Sequence, residues 1–243
     1  MEQVQNNQLI LVSGYSSTGK SSSLRNLREP EKWMYLNCEG KLLPFRSKFQ
    51  EYKISDPYQV YEAFDYATEH PDEVNGIIID SLTYLMDMYE VQMVQTASDT
   101  RKAWAEYGNF FRTLMFDKVV KFNKDTIFLA HVLDTTDETD LSIRTQVPIK
   151  GALKAQGVES FFSTVVSTKR KNIKDLKDYD NKMLTITEDE ELDGFKYVFQ
   201  TRIDKKSINE RIRSPMGMFS RKETFINNDC QMLLDHLRKY YNN

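Results

Sequence analysis

The stretch Leu9–Ser21, LILVSGYSSTGKS, constrains this chain more than any other. An apolar run of strand type, Leu9-Ile10-Leu11-Val12, stops at Gly14. From Gly14 to Ser21 there are two glycines with four residues between them, then Lys and Ser. Glycine at 14 and 19 permits a tight turn whose backbone N–H groups face inward, toward phosphate oxygens. The expected cradle is therefore Gly14, Tyr15, Ser16, Ser17, Thr18, Gly19, Lys20, Ser21 and Ser22. Lys20 is spaced to reach the β- and γ-phosphates, and the Ser21 hydroxyl to ligate Mg²⁺. No Gly or Pro follows Lys20 until Pro30, so a helix is expected over Lys20 to Leu27, its N-terminal dipole facing the anion. A chance Gly/Ser turn would show the same letters. The strand before and the helix after are the context that distinguishes the two.

The chain has 243 residues, enough for one large α/β domain with a proper core. One domain over 1–243 is expected, its core about 8–168 and an edge hairpin with a C-terminal helix about 183–241. A net charge of −3 excludes a surface that is basic all round, so nucleic acid would need a local patch or several subunits. Two cysteines, Cys38 and Cys230, make no disulfide framework and fit a reducing compartment. No apolar run approaches a membrane span, and MEQVQNNQ lacks signal-peptide character, so a cytoplasmic protein without membrane association is expected.

Along the chain, strands are expected over Gln8 to Ser13, Trp33 to Cys38, Glu51 to Ile54, Gly76 to Ser81, Thr126 to His131 and Phe161 to Thr168. Val60, Phe64 and Ala67 fall on one helix face. Leu82, Leu85, Tyr89 and Met93 fall on a second, and Trp104, Tyr107, Phe111 and Leu114 on a third. DTTDETD, from Asp134 to Asp140, is a polar tip between two extended arms. Lys169 to Lys182 is expected to be a solvated turn. Met183 to Thr187 and Phe195 to Thr201 are expected to pair as a hairpin around EDEELDG, and Asn228-Asp229 to cap a last helix. Alternation early and strands late predict a mainly parallel sheet with an antiparallel extension on one edge.

Several residues carry candidate chemistry. Asp80 ends the Ile77-Ile78-Ile79 strand, where a carboxylate faces the ligand side of a parallel sheet and can share Mg²⁺ with Ser21. The plain alternative is a helix N-cap. The residue after Asp80 is Ser81, where many ATPases of this architecture carry Glu. The candidate general base is instead Glu39, at the end of the second strand, against the alternative of a surface Glu before a Gly turn. His131, ending its strand, is a candidate γ-phosphate sensor or else a structural histidine. ATP is the expected nucleotide, with GTP left open, although no Asn-Lys-x-Asp base-reading motif falls near a strand end.

GYSSTGKS, the LNCEG turn with Glu39, IIIDSLTYL with Asp80 and the TIFLAH strand together resemble the RecA-like P-loop NTPases. The His-ended strand, KGALK and YVFQT…RSPMGMF resemble phage-encoded members associated with single-strand annealing. The resemblance implies an α/β RecA-like core, ATP with Mg²⁺, and catalytic roles for Lys20, Glu39 and His131. It also implies a homo-oligomer in which a cation from a neighbour completes the site: Arg202, Lys205, Lys206, Lys150 or Lys154. Single-stranded DNA and a single-strand-binding or other replication protein are the partners it suggests. The residues argue less clearly for DNA. Asp134, Asp137, Glu138 and Asp140 would repel phosphate. Arg101 and Lys102 beside Trp104 and Tyr107, or Lys169, Arg170, Lys171, Lys174 and Lys177, are the candidate contacts. A nucleotide-dependent protein switch with little hydrolysis is the alternative reading.

Overall fold

A computed structural model describes residues 6–136 and 141–242. Its centre is an eight-stranded sheet in the order β10-β9-β8-β1-β5-β4-β2-β3. The strands are β1 (Leu9–Gly14), β2 (Trp33–Asn37), β3 (Gln50–Lys53), β4 (Gly76–Asp80), β5 (Asp125–His131), β8 (Thr164–Asn172), β9 (Phe195–Gln200) and β10 (Phe225–Asn227). From β8 to β3 all pairings are parallel; β9 and β10 are antiparallel. β6 (Leu133–Thr136) and β7 (Ile143–Gln146) form a separate hairpin. This is the α/β P-loop NTPase fold, with the expected antiparallel edge.

Period-two alternation assigns the strand side chains to two cores. Leu11, Leu36, Ile77, Ile79, Phe128 and Val165 face α1 (Gln59–Glu69), α2 (Leu82–Tyr89), α3 (Thr100–Thr113) and α4 (Val119–Phe122). Ile10, Val12, Ile78, Ile127, Leu129 and Val166 face the other way. Ile77, Ile78 and Ile79 are wholly buried, each contributing about 1.5–3 kcal/mol. That burial on both faces is why β4 reads as continuous rather than alternating apolar sequence. Short helices α5 (Leu153–Gln156), α6 (Ile173–Leu176) and α7 (Glu188–Asp193) and a long α8 (Cys230–Tyr241) complete the chain. Among the described residues no helix is long and apolar enough to cross a membrane.

Three expectations are corrected. The helix expected over Lys20 to Leu27 is a single 3₁₀ turn, Ser21–Leu24. The cause is α8, which occupies that face of the sheet. Leu233, Leu234 and Leu237 pack with Leu24 and Leu27, and Ser23 Oγ lies 3.1 Å from Cys230 Sγ. A long-helix dipole therefore does not contribute to anion binding here. Second, Lys169 to Lys182 is not a solvated turn. β8 continues to Asn172, and Ile173 and Leu176 bury against Leu184, Val198 and Phe225. Third, Met183 to Thr187 forms no strand. β9 pairs with β8 and β10 instead, and EDEELD folds as α7 under a capping box between Thr187 and Glu190. The last helix is capped as expected, Asp229 accepting from Met232 N.

Candidate active site

β1 delivers the chain to a loop fixed by its neighbours. A Cβ on Gly14 would lie 2.1 Å from Thr168 Oγ1, so close approach of β8 requires glycine. Gly19 sits at φ +96, in the left-handed region, and its carbonyl accepts from Asn228 Nδ2 at 2.8 Å. Thr18 Oγ1 donates to Tyr15 O at 2.7 Å and lies 2.5 Å from Thr168 Oγ1. Tyr15, Ser16 and Ser17 are exposed on the rim; Ser21 and Ser22 are half-buried. Tyr15 OH donates to Asp134 Oδ1 at 2.6 Å, and Thr145 Oγ1 donates to the same oxygen at 2.6 Å. The β6–β7 hairpin is thus tied to the loop. Its tip residues Asp137, Glu138 and Asp140 lie outside the described residues.

Lys20 points into the loop. Its ammonium donates to Tyr15 O at 2.8 Å and Gly14 O at 3.0 Å, and lies 3.3 Å from His131 Nδ1. Burial lowers its pKa to about 8, against the raising influence of the Glu39 and Asp80 carboxylates.

The sheet order explains what Lys20 meets. β5 lies between β1 and β4, and β2 lies beyond β4. Parallel strands end together, so Gly14, His131, Asp80 and Glu39 come to one edge. Asp80 is 4 % exposed, and its Oδ2 accepts from Ser21 Oγ at 2.9 Å and from Tyr35 OH at 2.8 Å. Burial raises the Asp80 pKa. The Tyr35 and Ser21 hydrogen bonds oppose that, and the nearby Glu39 carboxylate adds to it. Ser81, not Asp80, is the N-cap residue of α2, so the Asp80 side chain is free for the loop side. A hydroxyl and a carboxylate oxygen 2.9 Å apart are hard oxygen donors suited to Mg²⁺, which takes one or two protein ligands beside substrate phosphates. Among the described residues no group of three His, Cys, Asp or Glu forms an all-protein cage.

Glu39 is held on both oxygens. Oε1 accepts from Ser81 Oγ at 3.0 Å and from His131 Nε2 at 2.8 Å; Oε2 accepts from Lys41 Nζ at 3.1 Å. Burial would raise this carboxyl, but the His131, Lys41 and Ser81 hydrogen bonds outweigh it and hold the pKa at about 2. A carboxylate only accepts, so His131 Nε2 carries a proton, and Nδ1 of the neutral ring accepts from Lys20. Thr83 Oγ1 accepts from His131 N at 2.9 Å and fixes the ring's backbone. The loop lysine, His131 and Glu39 are thus one continuous hydrogen-bonded chain.

The structure therefore gathers Lys20, Ser21, Glu39, Asp80 and His131. It also recruits Tyr35 and Thr168, to which the sequence assigns no site role, and Asn228, which reads there only as part of a helix cap. Asn228 is buried, and its Oδ1 is among the buried side-chain oxygens without a partner in the described residues. The cation candidates do not meet this site within the chain. Lys150 pairs with Glu90 at 2.7 Å, Lys154 is exposed, and Arg202, Lys205 and Lys206 line a separate cleft. Of the nucleic-acid candidates, Tyr107 is buried, Trp104 is half-buried against it, and Lys169 is paired with Glu210 at 2.5 Å.

A glycine-bounded loop closing a parallel strand, with lysine and serine inside it and an aspartate two strands away, defines a P-loop nucleotide-binding domain. The family model described as an AAA domain matches residues 6–196, and the chain belongs to that family. No curated protein matches it.

Proposed function

We propose that the protein is a Mg²⁺-dependent ATPase that acts, as a homo-oligomer, on DNA in recombination, single-strand annealing or replication. The observation that carries the nucleotide part is the convergence of Lys20, Ser21, Asp80, Glu39 and His131 at one end of four adjacent strands. Ser21 Oγ and Asp80 Oδ2 would hold the metal, which when bound supplies a Lewis acid for phosphate oxygens. Lys20 turns its ammonium from the carbonyls of Gly14 and Tyr15 to phosphate. Glu39 orients the attacking water and accepts its proton. With a pKa near 2 it is a weak base, better at positioning than at early proton removal. His131 bridges Lys20 and Glu39, so a change at the phosphate is felt by the carboxylate. The DNA role is supported by the likeness of KGALK and YVFQT…RSPMGMF to phage RecA-like proteins.

One observation favours the slower alternative, a nucleotide-dependent switch for a protein partner. Both Glu39 oxygens are already engaged by three donors, and Ser81 stands where many ATPases carry a second carboxylate. ATP turnover with and without single-stranded DNA decides between them. Turnover stimulated by DNA and abolished by Glu39→Gln, with ATP binding retained, supports the ATPase. A near-zero rate in both conditions refutes it in favour of the switch. Micromolar ATP binding retained in Lys20→Ala would sink the loop assignment altogether.

A further inference from the structure

On the antiparallel extension lies an open cleft of about 740 Å³. Lys171, Lys174, Arg202, Lys205, Lys206 and Arg221 line it, and among the described residues none of the six forms a salt bridge. Three carboxylates share the wall. Asp204 accepts from Ser207 Oγ and Lys206 N, both at 2.8 Å, and keeps its charge, so Asp175, Asp178 and Asp204 stand against six cations. In a chain whose net charge is −3, this is a local excess of positive charge that the wall's carboxylates only partly offset. The cleft is also apolar in a particular way. Its exposed apolar groups are aliphatic, Ile203 at 48 % and Ile208 at 68 %. Of its two aromatic rings, Phe225 is buried beneath Lys171, and Tyr179, half-buried, stands edge-on to it.

The complement is on the same molecule. α7 exposes Glu188, Asp189, Glu191 and Asp193, none of which forms a salt bridge among the described residues. Between them Leu192 stands 86 % exposed. A six-residue acidic helix bearing one bare leucine matches a basic cleft bearing two bare isoleucines in sign, in apolar content and in scale. Ile173 N donates to Gly194 O, so α7 and the α6 wall of the cleft are neighbours in the extension. Adjacent patches of opposite character can exchange reciprocally around a two-fold axis.

We infer that α7 of one copy docks in the Lys171–Arg221 cleft of a second copy, Leu192 seated against Ile203 and Ile208 and its carboxylates on the cleft's cations. This specifies the surface for the self-association in the functional reading above and rests on that part of it. The test is a charge swap followed by sedimentation at 50 mM salt, with thermal melts confirming that each variant is folded. The wild type should self-associate and dissociate at least tenfold more readily at 300 mM salt, since surface charges are then screened. Lys174→Glu/Arg221→Glu and, separately, Glu188→Lys/Glu191→Lys should each be monomeric. Mixed one to one, they should associate again, because each then offers what the other lacks. A wild type that stays monomeric at 100 μM (about the highest practical concentration), variants that associate unchanged, or a mixture that stays apart overturns the inference. So does displacement of the association by an oligo(dT) strand that binds the cleft more tightly. ATP affinity read by calorimetry on the same samples keeps the two failures apart. Its loss condemns the nucleotide site, whereas loss of association alone leaves that site intact.

Discussion

Replacing Lys20 with methionine should make the nucleotide-free protein more stable while destroying its nucleotide affinity. Lys20 is 6 % exposed, and burial brings its ammonium from 10.5 to about 8. Each tenfold change in acidity is about 1.4 kcal/mol, so keeping this group charged costs about 3 kcal/mol at neutral pH. Methionine fills similar space without charge but gives up the bonds to Gly14 O and Tyr15 O, about 1 kcal/mol each. The net gain is about 1 kcal/mol, or roughly 2–4 °C in Tm for a domain of this size. The pH dependence has a definite sign. Between pH 8 and 10.5 the unfolded chain still holds the lysine proton and the folded chain has shed it, so wild-type stability rises with pH there. Methionine has no such response, and the difference between the proteins should shrink across that interval. Differential scanning calorimetry at pH 7 and pH 9.5 on nucleotide-stripped protein reads both effects. A Lys20→Met protein that melts lower than wild type at pH 7, or a gap that does not move with pH, refutes the reasoning.

Other perturbations are expected to behave as follows. Asn228→Ala removes one of the two donors to the Gly19 carbonyl, leaving Ser23 N, and should cost about 1 kcal/mol by urea denaturation, with weaker ATP binding by calorimetry. Tyr35→Phe removes a donor that holds the Asp80 carboxyl down, so the Mg²⁺ concentration for half-maximal turnover should rise several-fold while the melting curve barely shifts. Glu39, held at about 2 against an ordinary 4.5, contributes about 3 kcal/mol that is present above pH 4.5 and lost as pH falls toward 2. Acid titration of Glu39→Gln should therefore show a flatter limb over that range. Thr187→Ala breaks the capping box of α7 and should cost about 1 kcal/mol, with ATP affinity unchanged.

That Lys20, Ser21, Asp80, Glu39 and His131 converge is legible in the sequence because each segment marks itself locally. The loop from Gly14 to Ser21 is contiguous, Asp80 and His131 are the last residues of strands whose apolar runs mark their own ends, and Glu39 follows such a strand by two residues. Parallel pairing then brings strand ends together, so chain position alone predicted which residues would meet. What stayed hidden depends on contacts distant in sequence. Tyr35 reaches Asp80 from within a strand, and nothing in WMYLN distinguishes a hydroxyl that points at the site from one that points at solvent. Asn228 reads as half of a cap, yet its amide serves a carbonyl more than two hundred residues earlier. The charged run after Thr168 misled for a related reason. Lys169 and Lys171 alternate along a strand whose partner, β9, lies beyond a helix, so period-two pattern was masked by charge. EDEELD reads as a hairpin loop because its acidity disguises a capping box that Thr187 and Glu190 spell out at the right spacing.

The dependence of the phosphate loop on Asn228 and Cys230 has a consequence for the order in which the molecule can become competent. The first strand and its glycine turn emerge from the ribosome well before the braces that hold Gly19 and Ser23. A nascent chain therefore carries an unfinished pocket until Asn228 and Cys230 have been added, and any tether fixed to α8 pulls directly on the pocket floor.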